Sequence, residues 1–163
     1  MNGGATFCAS GRHRYRLWRR WSDGPVVGFC MLNPSTADAD RNDPTIRRCI
    51  GFARAWGYGG VEVVNLFAFR ATDPRELRRA ADAVGTANDR YLVAAARRVD
   101  AMVVAWGFHG VLEARDQQVL ALLSRWTRPL ALGWTRSGAP RHPLYLRRDV
   151  RPRALASVAR SAA

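Results

Sequence analysis

Residues 26–48, VVGFCMLNPSTADADRNDPTIRR, join an apolar run to a long polar loop and then to the start of a helical pattern. The run Val26–Leu32 is short and is bounded by turn residues, as is typical of a buried parallel strand. Asp43 followed by Pro44 is a favoured helix start, because aspartate caps free N–H groups and proline suits the first helical position. Loops that leave the carboxyl ends of parallel strands commonly bind ligands, and a plain turn needs far fewer polar residues than follow Asn33.

The same order of strand and helix continues along the chain. Further buried strands are predicted at 61–65, 101–105 and 129–132, and helices at 45–56, from 86 onward and at 111–126. Such alternation predicts an α/β fold, namely a three-layer α/β/α sandwich with a mainly parallel central sheet of about four strands. At 163 residues, the chain 1–163 is expected to form a single domain.

The ends of the chain carry weaker patterns. Residues 14–21 alternate between apolar and arginine side chains, which predicts an antiparallel strand beside the first parallel strand. Residues 1–13 are small and polar and are expected to be loosely held. A last helix is expected from Pro152.

The charge of the chain is strongly positive. Twenty-six basic residues, all arginine, oppose thirteen acidic ones and give a net charge of +13. Such a field favours nucleic acid as the partner, and DNA, double- or single-stranded, is expected here. A solvated basic surface that binds no ligand is the alternative reading of the same composition.

Several classes of protein are disfavoured by the composition. There is no long apolar run and no basic-then-apolar start, so neither a membrane span nor a signal peptide is predicted. The three cysteines are unclustered, which favours neither a disulfide framework nor a metal site and suits a reducing cytoplasm. Glycine-rich dinucleotide and P-loop motifs are absent. We therefore expect a cytoplasmic monomer that needs no cofactor, metal or membrane.

Three polar segments follow predicted strands and should emerge at one edge of a parallel sheet. Asn33 and Ser35 follow the first strand, Asn65 and Arg70 the second, and His142 the fourth. The amide of Asn65 offers a donor and an acceptor side by side, as recognition of a base edge requires. A neutral His142 can donate a hydrogen bond to an oxygen that gains negative charge.

Longer blocks of sequence carry a resemblance to a known family. LNPSTAD, NDPTIRR, GYGGVEVVNLFAFRATDP and PRHPLYLRRD resemble the bacterial domain-of-unknown-function family 1643. Their order is also similar to that of the uracil-DNA glycosylase superfamily, which implies that fold. It implies that Asn33 positions the hydrolytic water, that Asn65 reads the base edge and that His142 contacts the base carbonyl. The residue four places beyond this histidine, Leu146, is implied to enter the duplex.

The remaining roles follow from what base removal from DNA requires. Ser35 is a further candidate for contacting the base, and Phe67 or Phe69 for stacking on it. Tyr145, like Leu146, suits an apolar wedge that fills the gap left by a flipped nucleotide. The arginines expected to contact phosphates are Arg47, Arg70, Arg141, Arg147 and Arg148.

The resulting hypothesis is a monofunctional DNA glycosylase that removes a damaged, deaminated or modified base. A chain without lysine lacks the amine on which strand-nicking glycosylases usually form a Schiff base. Two alternatives remain open. One is a hydrolase or transferase that acts on nucleosides or nucleotides, and the other is a nucleic-acid-binding module that recognises a modified base without cutting it.

Overall fold

The computed structural model describes residues 1–155 and contains seven strands and four α-helices within them. The strands are β1 (Asn2–Phe7), β2 (Arg14–Arg20), β3 (Val26–Met31), β4 (Gly60–Asn65), β5 (Ala101–Val104), β6 (Leu130–Ala131) and β7 (Arg153–Ala154). The helices are α1 (Pro44–Ala55), α2 (Glu76–Arg79), α3 (Asn88–Arg98) and α4 (Arg115–Ser124), with a 3₁₀ segment at Phe108–Ala114. None of these helices is long and apolar enough to span a bilayer.

All seven strands form one mixed sheet in the order β1-β2-β4-β3-β5-β6-β7. The strands β4, β3, β5 and β6 are parallel, while β1, β2 and β7 join antiparallel at the two edges. The fold is therefore α/β, but the predicted mainly parallel sandwich of about four strands is wrong. The prediction missed β1 and β7, because β1 consists largely of small residues and β7 of only two residues, so neither has the apolar run that marks a buried strand.

Two placements near the amino terminus also differ from expectation. Residues 2–7, in the segment expected to be loosely held, form β1 and pair with β2 from Asn2 opposite Arg20 onward. β2 pairs with β4 and not with β3, the strand that follows it, so β4 lies between them. Near the other terminus, Arg153–Ala154 forms β7 where a helix was expected, and residues 156–163 of the expected tail helix lie outside the described residues.

Alternation along β3 builds a core on each face of the sheet. Val27 and Phe29 pack with α1, whereas Cys30 packs on the other face with α3 and α4. Each strand residue thus contributes to one core or the other, because successive side chains point to opposite faces.

The helix α1 begins as the sequence predicted. The carboxylate of Asp43 accepts a hydrogen bond from the N–H of Ile46 at 2.8 Å, and Pro44 occupies the first turn. This cap fixes where the polar loop after β3 ends and places the start of α1 against the carboxyl ends of the central strands.

Candidate functional site

A small polar cavity lies where the carboxyl ends of β3 and β4 meet the start of α1. Its volume is about 40 Å³, room for a few water molecules. Asn33, Asn65 and His142 all line it, so the structure brings together the three side chains that the sequence places after different strands. The other lining residues are Arg14, Met31, Pro34, Ser35, Asp43, Thr45 and Ile46.

The pairing of β3 with β4 explains why the two asparagines converge. These strands are adjacent and parallel, with Met31 opposite Asn65. The pairing continues beyond the strands, because the N–H of Leu66 donates to the Met31 carbonyl and the N–H of Phe67 to the Leu32 carbonyl. Both loops therefore leave the sheet at one place.

The amide of Asn65 is buried without a partner. The residue is 2% exposed, and neither its Oδ1 nor its Nδ2 makes a hydrogen bond within residues 1–155. Its backbone is held firmly, since Nδ2 of Asn88 donates to the carbonyls of Asn65 and Leu66 at 2.9 and 3.0 Å. A polar group held in this way costs free energy until a partner pairs with it.

The side chain of Asn33 connects the loop after β3 to the loop after β4. Its Nδ2 donates to the carbonyls of Pro34 at 3.0 Å and Ala71 at 2.8 Å. Both N–H groups of the amide are thus used, and Oδ1 keeps the capacity to accept a hydrogen bond from water.

His142 is held as a hydrogen-bond donor. Its Nδ1 accepts from the N–H of Leu144 at 3.2 Å, so in the neutral ring Nε2 carries the proton. Burial lowers the pKa of His142 below its usual range, and the nearby carboxylate of Asp43 opposes that shift. The neutral tautomer with Nε2–H is therefore the favoured form at neutral pH.

The sequence assigned no role in the site to two charged residues of the cavity, Arg14 and Asp43. Arg14 is the first residue of β2 and reaches this edge because β2 runs antiparallel to β4. For Asp43, the sequence pattern predicts only a helix cap. Arg14 could be assigned to the cavity only from the pairing of β2 with β4, which the sequence does not specify. Asp43 could have been assigned to it, because the helix-start motif places this residue at the end of the polar loop.

The candidates for stacking on a base lie elsewhere. Phe67 is wholly buried in the core that α3 and α4 cover. Phe69 packs against the same core and meets the ring of His13 edge-on, with centroids 5.8 Å apart. Neither ring lines the cavity, because the chain after β4 turns them into the core, and neither is placed to stack on a base bound there.

A basic groove runs along α1. It is lined by Arg47, Arg48, Phe52 and Arg148, among others, and its volume is about 380 Å³. The guanidinium of Arg48 lies 4.7 Å from the centre of the Phe52 ring and donates to the carbonyl of Pro143 at 3.4 Å. Pro143 directly follows His142, so the groove and the cavity share one segment of chain.

That segment, residues 141–148, carries several of the predicted DNA-contacting side chains. Tyr145 is 95% exposed and has a left-handed backbone, with φ of 75°. Leu146, in contrast, is half-buried against the core on the α1 face. Arg147 forms an exposed ion pair with Asp149 at 3.2 Å, and Arg141 is exposed.

Arg70 lies apart from the groove along α1. Its guanidinium stacks on the ring of Phe7 at 5.0 Å and its Nε donates to the carbonyl of Ser35 at 3.4 Å. It lines a separate open depression with Ser35, Asp38 and Glu76, in which carboxylates accompany the positive charge. Among the predicted phosphate ligands, the structure groups Arg47 with Arg148 and places Arg70 elsewhere.

Comparison with known proteins identifies one family. A family model described as protein of unknown function, DUF1643, matches residues 14–144, which is most of the chain. No curated protein and no solved structure matches. The comparisons therefore lend no support to the resemblance to uracil-DNA glycosylases.

Proposed function

The chain belongs to the DUF1643 family of proteins of unknown function, and we propose that it is a monofunctional DNA N-glycosylase, a hydrolase that removes a modified base. The observation that carries this proposal is the buried, unpartnered amide of Asn65 in a cavity shared with His142 and Asn33. A rigid amide with a vacant donor and a vacant acceptor suits the hydrogen-bonding edge of a base.

The other polar side chains suit the charges that develop when the glycosidic bond breaks. The bond's electron pair leaves with the base, so the base gains negative charge and the sugar positive charge. Nε2–H of His142 would donate to a base oxygen as that charge grows. Water then attacks the sugar carbon and loses a proton, leaving an abasic site.

Asn33 and Asp43 would hold that water. An amide is a poor base, so the part of Asn33 Oδ1 is to orient the molecule. Asp43 contributes the carboxylate of the cavity wall, and one of its oxygens, Oδ1, is used to cap α1. Its other oxygen can accept the proton of the attacking water.

The basic groove supports nucleic acid as the substrate. Arg47, Arg48 and Arg148 offer charge-assisted hydrogen bonds to phosphates beside the cavity. Tyr145 replaces Leu146 as the proposed wedge, because it is almost fully exposed whereas Leu146 is packed against the core.

A base can enter only if a wall of the cavity moves, because 40 Å³ is room for a few water molecules. His142 lines the cavity from residues 141–148, a segment whose backbone makes few hydrogen bonds to the rest of the described chain. Hydrogen bonds join it to preceding parts of the chain at Arg141 and Pro143. A second candidate is a module that binds a modified nucleotide without cutting it, and the amide of Asn33, which is a poor base, favours it.

Excision from a panel of oligonucleotides tests the proposal. Duplex and single-stranded DNA with deaminated, alkylated or otherwise modified bases are incubated with the protein, and abasic sites are counted. The proposal expects abasic sites with at least one base. Asp43→Asn should keep binding and the helix cap but slow excision about 100-fold or more.

Other outcomes assign the function differently. Tight binding of a modified strand without any abasic site would establish the binding module and overturn the enzyme. Hydrolysis of free nucleosides, with little dependence on salt and no binding of DNA, would establish the nucleoside enzyme.

A further inference from the structure

Three arginine residues are buried within residues 1–155, and they differ in what compensates their charge. Arg14, Arg19 and Arg115 are 2%, 5% and 4% exposed. A buried guanidinium is costly unless its N–H groups and its charge find partners. A buried arginine whose N–H groups lack partners is therefore incomplete without a ligand.

Arg19 and Arg115 are well compensated. Nε of Arg19 donates to Oδ1 of Asn42 at 2.9 Å, and its terminal nitrogens donate to backbone carbonyls that include those of Trp18 and Asp38. Nε of Arg115 donates to the Leu66 carbonyl at 2.8 Å, and its Nη2 pairs with Asp89 at 2.6 Å. Both side chains have structural partners.

Arg14 has fewer direct partners. Its Nη1 donates to the Ala37 carbonyl at 3.0 Å, but its buried Nε has no hydrogen-bond partner. No carboxylate in the described part of the chain lies within ion-pairing distance of this guanidinium. Burial lowers the pKa of Arg14 to about 10 and the carboxylate of Asp43 opposes that shift, so the guanidinium stays positively charged at neutral pH.

The same cavity holds the unpartnered amide of Asn65. We propose that this cavity is an oxyanion site, in which Arg14 and Asn65 bind one small ligand through an oxygen that carries negative charge. Two buried polar side chains with vacant donors, one of them a cation, fit such an oxygen better than they fit a neutral or cationic group.

The carboxylate of Asp43 also lines the cavity and would repel an anion. Its charge is offset, because it caps α1 at the positive end of that 12-residue helix. The inference rests on the proposed function only in identifying the oxyanion as the departing base, whose oxygens gain charge as the bond breaks.

Formate is the probe of choice, because this three-heavy-atom anion is small enough for the cavity. The ¹⁵N-labelled wild-type protein is titrated with sodium formate, with sodium chloride holding the ionic strength constant. The Nε–H signal of Arg14 and the Nδ2 signals of Asn65 should shift and saturate. The Nε–H signals of Arg19 and Arg115, which are buried but already have hydrogen-bond acceptors, should stay in place.

Arg14→Gln should weaken formate binding, read at Asn65, about tenfold or more, because a charge-assisted hydrogen bond is lost. If this variant does not fold, the wild-type titration decides. Absence of a saturable shift at Arg14 and Asn65 would show that the cavity holds water only. Equal shifts at Arg19 and at surface arginines would indicate an adventitious ion only. Either result overturns the proposal, and neither depends on base excision.

Discussion

Two buried asparagines lie next to each other in space at the end of β4 and play different parts. Nδ2 of Asn88 donates to two backbone carbonyls, whereas the amide of Asn65 has no partner. Leucine approximates the shape of asparagine without its polarity. Asn88→Leu should lower the free energy of unfolding by about 2–3 kcal/mol, because buried carbonyls lose their donors. Asn65→Leu should leave it unchanged or raise it.

Urea unfolding of both variants measures the difference. A loss for Asn65→Leu as large as that for Asn88→Leu would mean that the Asn65 amide stabilises the fold, and the reason to regard it as a ligand group would disappear.

The imidazole of His142 predicts a pH dependence of stability. Because burial lowers its pKa below the 6.5 of an exposed ring, the unfolded chain binds this proton more readily than the folded one. Stability should therefore fall as the pH drops below 6.5, by at most about 1.4 kcal/mol per pH unit for one proton. His142→Gln should remove this part of the slope.

Unfolding between about pH 8 and pH 5 measures this difference. His13, whose pKa is raised, contributes with the opposite sign but is present in both proteins, so the difference isolates His142. An unchanged slope in His142→Gln would indicate that the ring titrates normally and is not held as a neutral donor.

The convergence of Asn33, Asn65 and His142 could be predicted from the sequence, because strand ends carry polar residues at recognisable places. Arg14 could not be assigned to the site in this way. Its position depends on β2 pairing antiparallel with β4, a long-range contact that the local pattern of residues 14–21 does not specify.

At the scale of elements, the loop between β3 and α1 ends at a cap that is also a wall of the cavity. Asp43→Ala should destabilise the protein by about 1 kcal/mol, because the N–H of Ile46 loses its acceptor. Asp43→Asn should retain nearly full stability, since asparagine caps as well as aspartate. Thermal or urea unfolding of the pair tests this.

If Asp43→Asn proves as unstable as Asp43→Ala, the carboxylate charge itself supports the fold. The slow excision expected of Asp43→Asn could not then be assigned to the chemistry.

Helices and strands could be predicted from the sequence where the local pattern was strong. They could not be predicted where a strand forms only because a neighbouring strand pairs with it. The start of α1 followed from Asp43 and Pro44 alone. The strand β1 has small residues with little alternation, and it becomes ordered because the edge of β2 offers unpaired backbone groups. The sheet is mixed because the strands at its edges pair antiparallel with their neighbours.

At the scale of the whole molecule, the net charge of +13 should act through the groove along α1. Arg47→Glu combined with Arg148→Glu should weaken DNA binding. The double substitution should also reduce the slope of log K against log salt concentration by roughly 0.9 for each of the two phosphate contacts that are lost. A matched control, Arg125→Glu with Arg128→Glu, makes the same charge change beyond the end of α4, a helix of the opposite face.

Fluorescence anisotropy at several salt concentrations compares the two double variants. Equal losses would mean that the net charge acts without a defined surface, and that the groove along α1 has no special part.

Analysis of the product of base removal decides whether the protein is a hydrolytic glycosylase. The lysine-free chain should release the base and leave an abasic strand that breaks only after alkali or heat. Arginine cannot replace lysine as the nucleophile, because it stays protonated. Borohydride added during the reaction should therefore trap no protein–DNA adduct. An adduct, strand breaks without alkali, or the absence of abasic sites across the whole panel would contradict hydrolysis of the glycosidic bond.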